Sequence, residues 1–301
     1  MFTPPPRPTS FNHVIYQKAK AALEDAGHDV RVRDLYSLNF KVTLDDEDLT
    51  DLENGTISED VRNEQEHIAC FDSDTGKLVW EKKFNVWHST IPFNRLGWAS
   101  LGADSETGNI YAHLVSGLLL CFDTDGNIQW VRSMTEEFNR FSGYGGRLHT
   151  PVIDGDLVII SMGNLGWAAK PPSHRYMGIN KHTGETVWMS RPGGGNQVDL
   201  TVYSTPVTTT IDGQRAFIAG NGNGGIFAVK VATGEKIWGF AFSNRGINTS
   251  PAVANNRVYA THSEENVGNT SLGSVVCLDA TTGKFSLHCT IIIYNIVYDR
   301  L

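Results

Sequence analysis

A short glycine and tryptophan pattern recurs at nearly constant spacing and constrains the fold more than any other feature of the chain. The strings that carry it are CFDSDTGKLVW, CFDTDGNIQW, MGINKHTGETVW and FAVKVATGEKIW. Each contains Gly-x-x-x-Trp, with the pairs Gly76/Trp80, Gly126/Trp130, Gly184/Trp188 and Gly234/Trp238. A fifth string, CLDATTGKFSLH, keeps its turn at Gly283 but has Leu287 where tryptophan is expected. The glycines are 50, 58, 50 and 49 residues apart, a period that predicts propeller blades of four strands each.

The residues before each glycine alternate as expected for a strand with one packed face. A small residue, a large apolar residue and a polar residue come in that order, as in Cys70, Phe71 and Asp72 of the first copy. The glycine that follows supplies the positive φ of a tight hairpin turn. The returning strand ends on the indole, and we expect each indole to pack against the neighbouring blade.

A second element, Ser or Thr followed by Pro, begins three of the units upstream of the glycine turn, and in a fourth, ASLGADSETGNIYAH, Leu101 replaces the proline. It occurs in HTPVIDGDLVIIS, STPVTTTIDGQRAFIAG and TSPAVANNRVYAT, each time before an apolar pair, a turn and a strand. Proline is tolerated at the first residue of a strand. The chain is therefore predicted to be mainly β, with four to five blades over residues 69–289 at about 50 residues per blade, and an off-pattern tail at 290–301.

These repeats resemble the pyrroloquinoline-quinone-type (PQQ-like) β-propeller repeat, whose core is Asp-x-x-Thr-Gly-x-x-x-Trp. The resemblance implies a scaffold of stacked four-stranded blades. Proteins built from this repeat include quinoprotein alcohol and glucose dehydrogenases, and noncatalytic propellers such as the outer-membrane assembly lipoprotein. The repeat type usually makes seven or eight blades, so the blade count here implies a partial propeller.

The resemblance to quinoprotein dehydrogenases implies a test for the quinone. The alcohol-type enzymes carry a disulfide between adjacent cysteines and a calcium site of Glu, Asn and Asp with a catalytic Asp. The four cysteines of this chain, Cys70, Cys121, Cys277 and Cys289, are nowhere adjacent. All but Cys289 occupy the small strand position of their own repeats. We therefore expect no catalytic residue, no metal site and no cofactor in the propeller, and PQQ with calcium remains the alternative.

The first 68 residues follow a different, α/β pattern. SFNHVIYQKAKAALEDAG predicts an amphipathic helix between Ser10 as its N-cap and Gly27 as its stop. HDVRVRDLY predicts a strand over 28–36, and ISEDVRNEQEHI predicts a second helix over 57–68. The sequence therefore indicates an α/β segment at 1–68 that precedes the propeller.

This segment resembles the flavodoxin-like NAD(P)H:quinone oxidoreductase family over about residues 5–68. In that family the loop before the first helix and the helix N-terminus hold the flavin phosphate, since free N–H groups and the helix dipole favour an anion there. The resemblance implies that Ser10, Phe11 and Asn12 would contact the phosphate of FAD or FMN. Only MFTP precedes the loop where a first strand should end, and the later strands of the family are absent. We therefore expect an incomplete flavodoxin-like segment, and a chain that is a fragment or a chimera.

Charge and hydropathy exclude some classes of partner. The formal net charge is -8, which disfavours nonspecific nucleic-acid binding and anionic membrane surfaces. There is no apolar run of about 18 residues, and the N-terminus lacks the pattern of a signal peptide. The chain as written is therefore predicted to be cytoplasmic, whereas the propeller family is usually periplasmic or secreted.

Three functions follow as hypotheses. The first is a noncatalytic propeller scaffold that binds a protein or ligand with its loops, and it is the one we favour. The second is a quinoprotein dehydrogenase, and the third is a flavin-dependent quinone reductase run by the N-terminal segment. For the first hypothesis the candidate contacts are the polar residues near strand ends: His149, Asn164, His174, Tyr176, Asp199, Tyr203, Asn221, Asn223, Arg245, His262 and Glu264.

Overall fold

Antiparallel strands dominate the part of the chain that the computed structural model describes. The described residues are 11–27, 30, 65–86, 96–138, 140–141, 146, 148–164, 173–193, 203–268 and 272–286. The chain divides into two compact units, Met1–Arg62 with Phe71–Lys77 and Asn63–Cys70 with Leu78–Leu301. No described helix is long and apolar enough to cross a membrane.

The described part of the N-terminal segment is one helix, α1 (Phe11–Asp25). It ends where the sequence predicts, because the Gly27 amide donates to the Glu24 carbonyl at 2.9 Å and Gly27 adopts a φ of 83°. Glycine reaches this left-handed conformation without a Cβ penalty. The predicted strand at 28–36 lies outside the described residues apart from Val30, and Ser10 also lies outside them.

The described strands form five antiparallel sheets, which we call blades 1 to 5. Blade 1 is β1 (Gln65–Phe71) and β2 (Leu78–Asn85). Blade 2 is β3 (Gly102–Ala103), β4 (Ile110–His113), β5 (Leu118–Phe122) and β6 (Ile128–Ser133), followed by the short helix α2 (Met134–Phe138).

Blades 3, 4 and 5 continue the series along the chain. Blade 3 is β7 (Arg140–Phe141), β8 (Val152–Asp154), β9 (Leu157–Asn164), β10 (Ser173–Asn180) and β11 (Thr186–Ser190). Blade 4 is β12 (Val207–Ile211), β13 (Gln214–Gly220), β14 (Gly225–Lys230) and β15 (Lys236–Ala241). Blade 5 is β16 (Ala252–Ala254), β17 (Arg257–Glu265) and β18 (Leu272–Asp279). Each blade orders its strands by chain position, except that β7 and β8 both pair with β9. The mainly β class and the propeller-like sheets are confirmed.

The start of blade 1 corrects one prediction. Residues 65–68 were expected to end a helix, but they belong to strand β1. Glu66 and Ile68 are buried while His67 between them is exposed, which is the period of a strand. The Glu66 carboxylate accepts hydrogen bonds from the amides of Gly97 and Val115, at 3.2 and 2.9 Å. These distant partners override a helical pattern that was local to the sequence.

Four hydrophobic layers, one between each pair of successive blades, form the core. Ile68 of blade 1 clusters with Phe122 of blade 2, and Tyr111 of blade 2 clusters with Ile160 of blade 3. The next layers join blade 3 to blade 4 around Trp188 and Phe217, and blade 4 to blade 5 around Trp238 and Val258. Each blade thus buries an apolar face that would otherwise be exposed to water.

The repeated tryptophan links each blade to the next by one recurring contact. Each indole Nε1 donates to a backbone carbonyl of the following blade, just after β5, β10, β14 or β18. The four bonds are Trp80 to Thr124 at 2.9 Å, Trp130 to Lys181 at 3.0 Å, Trp188 to Val231 at 2.8 Å and Trp238 to Ala280 at 2.8 Å. Buried indoles need such a partner for their N–H.

The glycine of the following repeat lies directly under each indole. A Cβ at Gly234 would come within 2.5 Å of the Trp188 ring, and a Cβ at Gly283 within 2.5 Å of the Trp238 ring. Gly126 and Gly184 have the same relation to Trp80 and Trp130. The five repeat glycines, Gly76 included, all have φ between 68° and 80°. Each glycine therefore makes the hairpin turn, and from the second copy onward it also makes room for the preceding indole.

Candidate functional site on the loop face

The two ends of the blades differ in chemistry. The glycine turns and the tryptophan contacts lie at one end, which we call the turn face. The connections β4–β5, β9–β10 and β13–β14 lie at the opposite end of the antiparallel blades, together with the links between blades. We call this end the loop face, and most of the predicted polar contacts lie there.

A buried polar cluster joins blades 3 and 4 at the loop face. His174 is the second residue of β10 and is 3% exposed. Its Nδ1 accepts a hydrogen bond from the Gly222 amide at 2.9 Å. The Tyr176 hydroxyl, two residues along the same strand, donates to the Gly220 carbonyl at 2.6 Å. The cluster therefore fastens blade 3 to the glycine-rich β13–β14 loop of blade 4.

Further residues complete this cluster. The rings of His174 and Tyr176 are 4.9 Å apart between centroids, and His149 lies 6.4 Å from Tyr176. The Ser204 hydroxyl accepts from the Gly220 amide at 2.9 Å. The side-chain amide of Asn221 donates to Asn223 Oδ1 at 3.0 Å. The structure thus brings together four predicted residues, His149, His174, Tyr176 and Asn221, with Asn223 at their edge.

Burial decides the charge state of His174. Burial, with the nearby His149 as a further cause, lowers the pKa of His174 from 6.5 to about 3, although Asn221 acts in the opposite direction. His174 is therefore neutral at physiological pH. Since its Nδ1 accepts from the Gly222 amide, the ring proton lies on Nε2. Among the described residues, Nε2 of His174 and Oδ1 of Asn221 are buried without a hydrogen-bond partner.

The other predicted polar residues lie apart from this cluster. His262 in β17 packs edge-on against Phe242, with ring centroids 4.3 Å apart, and burial lowers its pKa. Arg245 is exposed in the link between blades 4 and 5. Asp199 and the side chain of Asn164 fall outside the described residues. Phe11 and Asn12 open α1, and the described residues give no account of their side chains.

Sequence reasoning missed two groups. Ser204 precedes the Thr-Pro that opens blade 4, so the repeated Ser/Thr-Pro element was a signal that could have identified it. Lys181 is 1% exposed and pairs with Asp104 at 3.0 Å and with Glu106 at 2.7 Å. Its carbonyl also accepts the Trp130 indole. No sequence signal separates this lysine from an ordinary turn residue.

The donor groups of the described residues do not suit a metal centre. No three His, Cys, Asp or Glu side chains of the described chain come together in a way that would hold a metal ion. Cys70, Cys121 and Cys277 lie on separate strands and form no disulfide with one another. Burial raises the pKa of the Cys121 thiol to about 11, so it stays protonated and unreactive.

The chain was compared with known families. The family model described as outer membrane protein assembly factor BamB matches residues 64–294, and a flavodoxin-like fold model matches residues 3–73. Among curated proteins, the ribosyldihydronicotinamide dehydrogenase-like protein traD of Penicillium crustosum is 30% identical over 103 residues. That match spans 31% of this chain and 39% of traD.

The repeat region shares its fold with a solved BamB structure. BamB from Moraxella catarrhalis matches with a TM-score of 0.50 and 19% identity, over 73% of this chain and 57% of BamB. The quinohemoprotein alcohol dehydrogenase of Comamonas testosteroni matches with a TM-score of 0.47 and 15% identity, over 73% of this chain and 39% of the enzyme. The chain thus spans less than two thirds of each of these relatives. With the BamB model matching residues 64–294, the chain belongs to the outer membrane protein assembly factor BamB family of PQQ-like β-propeller repeats.

Proposed function

We propose that the repeat region is a noncatalytic scaffold that binds a partner protein with its loop face. The observation that carries the proposal is the use of the polar groups at this face. The His174 ring and the Tyr176 hydroxyl form hydrogen bonds with backbone groups of Gly222 and Gly220. These two side chains therefore fix the conformation of the β13–β14 loop. A neutral buried imidazole with a pKa of about 3 is poorly matched to proton transfer near neutral pH. The family, whose name refers to outer-membrane assembly, supports a binding role.

Site-specific photocrosslinking tests this proposal. A photoreactive amino acid replaces Arg245, which is exposed on the loop face, and in a second variant it replaces His182, which is exposed at a glycine turn on the turn face. We expect a discrete crosslinked partner from position 245 and none from position 182. Equal crosslinking from both positions, or no partner from position 245, would contradict the proposal.

Flavin binding by the N-terminal segment is a second candidate, favoured by the flavodoxin-like match over residues 3–73 and by the likeness to traD. Titration of the full chain into FMN or FAD, followed by flavin fluorescence, tests it. Saturable quenching that Asn12→Ala weakens would support flavin binding. Unchanged fluorescence at protein concentrations of about 50 μM, which exceed the Kd of any useful cofactor site, would exclude it.

A further inference from the structure

A cleft of about 340 Å³ opens between blades 3 and 4, next to the polar cluster, and Asn223 lies at the edge of both. Its floor includes Phe227 of β14, and its rim includes Lys236 of β15 and Pro192 after β11. Phe227 packs in the layer between these blades and is 8% exposed. The cleft therefore has an apolar base and one cationic edge.

Two glycines keep the floor of the cleft flat. Gly225 precedes Phe227 on the same face of β14, and Gly239 is its cross-strand partner on β15. A Cβ built at either glycine would come within 2.5 Å of the Phe227 ring. The ring therefore lies between two positions without side chains, and backbone and aromatic surface line the cleft there.

The charge of the cleft comes from Lys236. Its ammonium lies 5.9 Å from the centroid of the Phe227 ring, within range of a cation–π contact. None of the residues that line the cleft carries a carboxylate. An anion with a flat apolar group matches this combination, because the ammonium attracts the charge while the floor accepts the ring.

A second cleft, which we call the sibling cleft, separates the features that the repeat provides from those found only in the cleft between blades 3 and 4. A cleft of about 540 Å³ lies between blades 1 and 2. Counted from the repeat tryptophans, its Phe84 and Ser133 occupy the positions of Pro192 and Ala241. Leu118 pairs with Ser133 across the strands in the same way as Gly225 pairs with Ala241. Leu118 therefore occupies the position that Gly225 has in the other cleft.

The two clefts differ in charge and in floor. The sibling cleft is lined by Lys83 and Glu136, so its lining residues carry opposite charges. Its floor has a leucine where the blade 3–4 cleft has a glycine. The repeat architecture therefore generates a cleft between blades, and the residues of blade 4 give one cleft a flat floor and a net positive charge.

We propose that the cleft between blades 3 and 4 binds a small aromatic carboxylate, with the carboxylate on Lys236 and the ring over the Phe227 floor. This inference goes beyond the scaffold function, because it needs no partner protein and involves neither His174 nor Arg245. The site and the partner surface can therefore fail or succeed independently.

Calorimetric titration of the full chain with benzoate, and with benzamide as the uncharged analogue, tests the proposal. We expect saturable benzoate binding with a Kd on the order of 1 mM and benzamide binding about threefold to fivefold weaker, as an exposed charge pair implies. Lys236→Gln weakens benzoate binding by the same factor, and Lys236→Arg preserves it. Ala241→Leu, at an exposed position of the cleft, abolishes binding by filling it.

Ser133→Leu is the matched control, since it fills the equivalent position of the sibling cleft and leaves benzoate binding unchanged. Equal affinity for benzoate and benzamide would overturn the proposal, and so would unaltered binding in Lys236→Gln or Ala241→Leu. Absence of saturable binding up to about 20 mM, well above the expected Kd, would also overturn it. Far-ultraviolet circular dichroism verifies the fold of each variant, and the comparison of the two ligands on the unaltered chain requires no variant.

Discussion

Burial sets the charge state of His174 at the loop face. This residue is buried, neutral and hydrogen-bonded through Nδ1 to the Gly222 amide. Its folded-state pKa of about 3 lies below the ordinary value of 6.5, so the unfolded chain binds a proton that the folded chain excludes. The resulting stability is complete above pH 6.5 and is lost as the pH falls from 6.5 towards 3.

We therefore expect the free energy of unfolding to fall by about 2 to 3 kcal/mol between pH 7 and pH 4.5 on account of His174. Urea unfolding at the two pH values measures this loss. His174→Asn is the matched variant, because its side-chain carbonyl can still accept from the Gly222 amide but cannot be protonated in this range. If His174→Asn shows the same pH dependence as the unaltered chain, His174 does not cause it.

The Lys181 ion pair is the second residue-scale feature that sequence could not reveal. Burial acts to raise the pKa of Asp104, but hydrogen bonds from Thr107 and Lys181 prevail and hold that pKa at about 2. The Asp104 carboxylate is thus charged because its partners are in place. Removing one partner leaves the cost of burial uncompensated.

We expect Lys181→Met to raise the pKa of Asp104 from about 2 towards the ordinary value of 3.8, because burial then acts against fewer stabilising partners. Carboxyl-carbon NMR titration measures this change. Lys230→Met is the control, since Lys230 pairs with Glu235 in the next repeat and far from Asp104 in sequence. An unmoved Asp104 pKa in Lys181→Met would show that the ion pair does not set it.

Each blade is joined to the next through one indole and one glycine. Local signals in the sequence predicted both partners, because each of the first four repeat glycines is followed four residues later by a tryptophan. The expectation that the returning strand ends on the indole is wrong, since the strands continue to Ser190 after Trp188 and to Ala241 after Trp238. The contact between indole and glycine crosses from one blade to the next, and the structure alone shows that each indole covers the glycine of the following repeat. The glycine thus has a packing role beyond the turn.

Gly234→Ala and Gly213→Ala separate these two roles. Both glycines have positive φ, but the new Cβ meets the Trp188 ring at 2.5 Å in Gly234 and nothing within 4 Å in Gly213. We expect Gly213→Ala to cost about 1 to 2 kcal/mol for the left-handed conformation alone. Gly234→Ala costs an additional 1 to 3 kcal/mol, roughly the price of overpacking. If urea unfolding gives the same loss of unfolding free energy for both variants, the Trp188 indole accommodates the new Cβ without strain.

Over the whole repeat region, stability is distributed in layers between successive blades. The four hydrophobic clusters each join one blade to the next. Stability in such an array approximates a sum of blade terms and nearest-neighbour terms. A substitution that weakens the layer between two blades should therefore destabilise those two blades and leave distant blades unchanged.

Trp130→Ala tests this at the junction of blades 2 and 3. We expect faster amide hydrogen exchange in β5 and β9, the strands packed around Trp130, and little change in β17 of blade 5. Exchange measured by mass spectrometry, peptide by peptide, reports each strand separately. Uniform acceleration through β17 would show that the blades unfold as one cooperative unit.

The amino-acid sequence by itself determined the repeat, the mainly β class, the hairpin turns and the helix that Gly27 stops, because these depend on residues close together in the chain. Tertiary structure decided the rest. It turned residues 65–68 into a strand by giving Glu66 distant amide partners, and it placed His174 of one blade on Gly222 of the next. Neighbours separated by 31 to 49 residues supply these contacts, and no local pattern encodes which of them will meet.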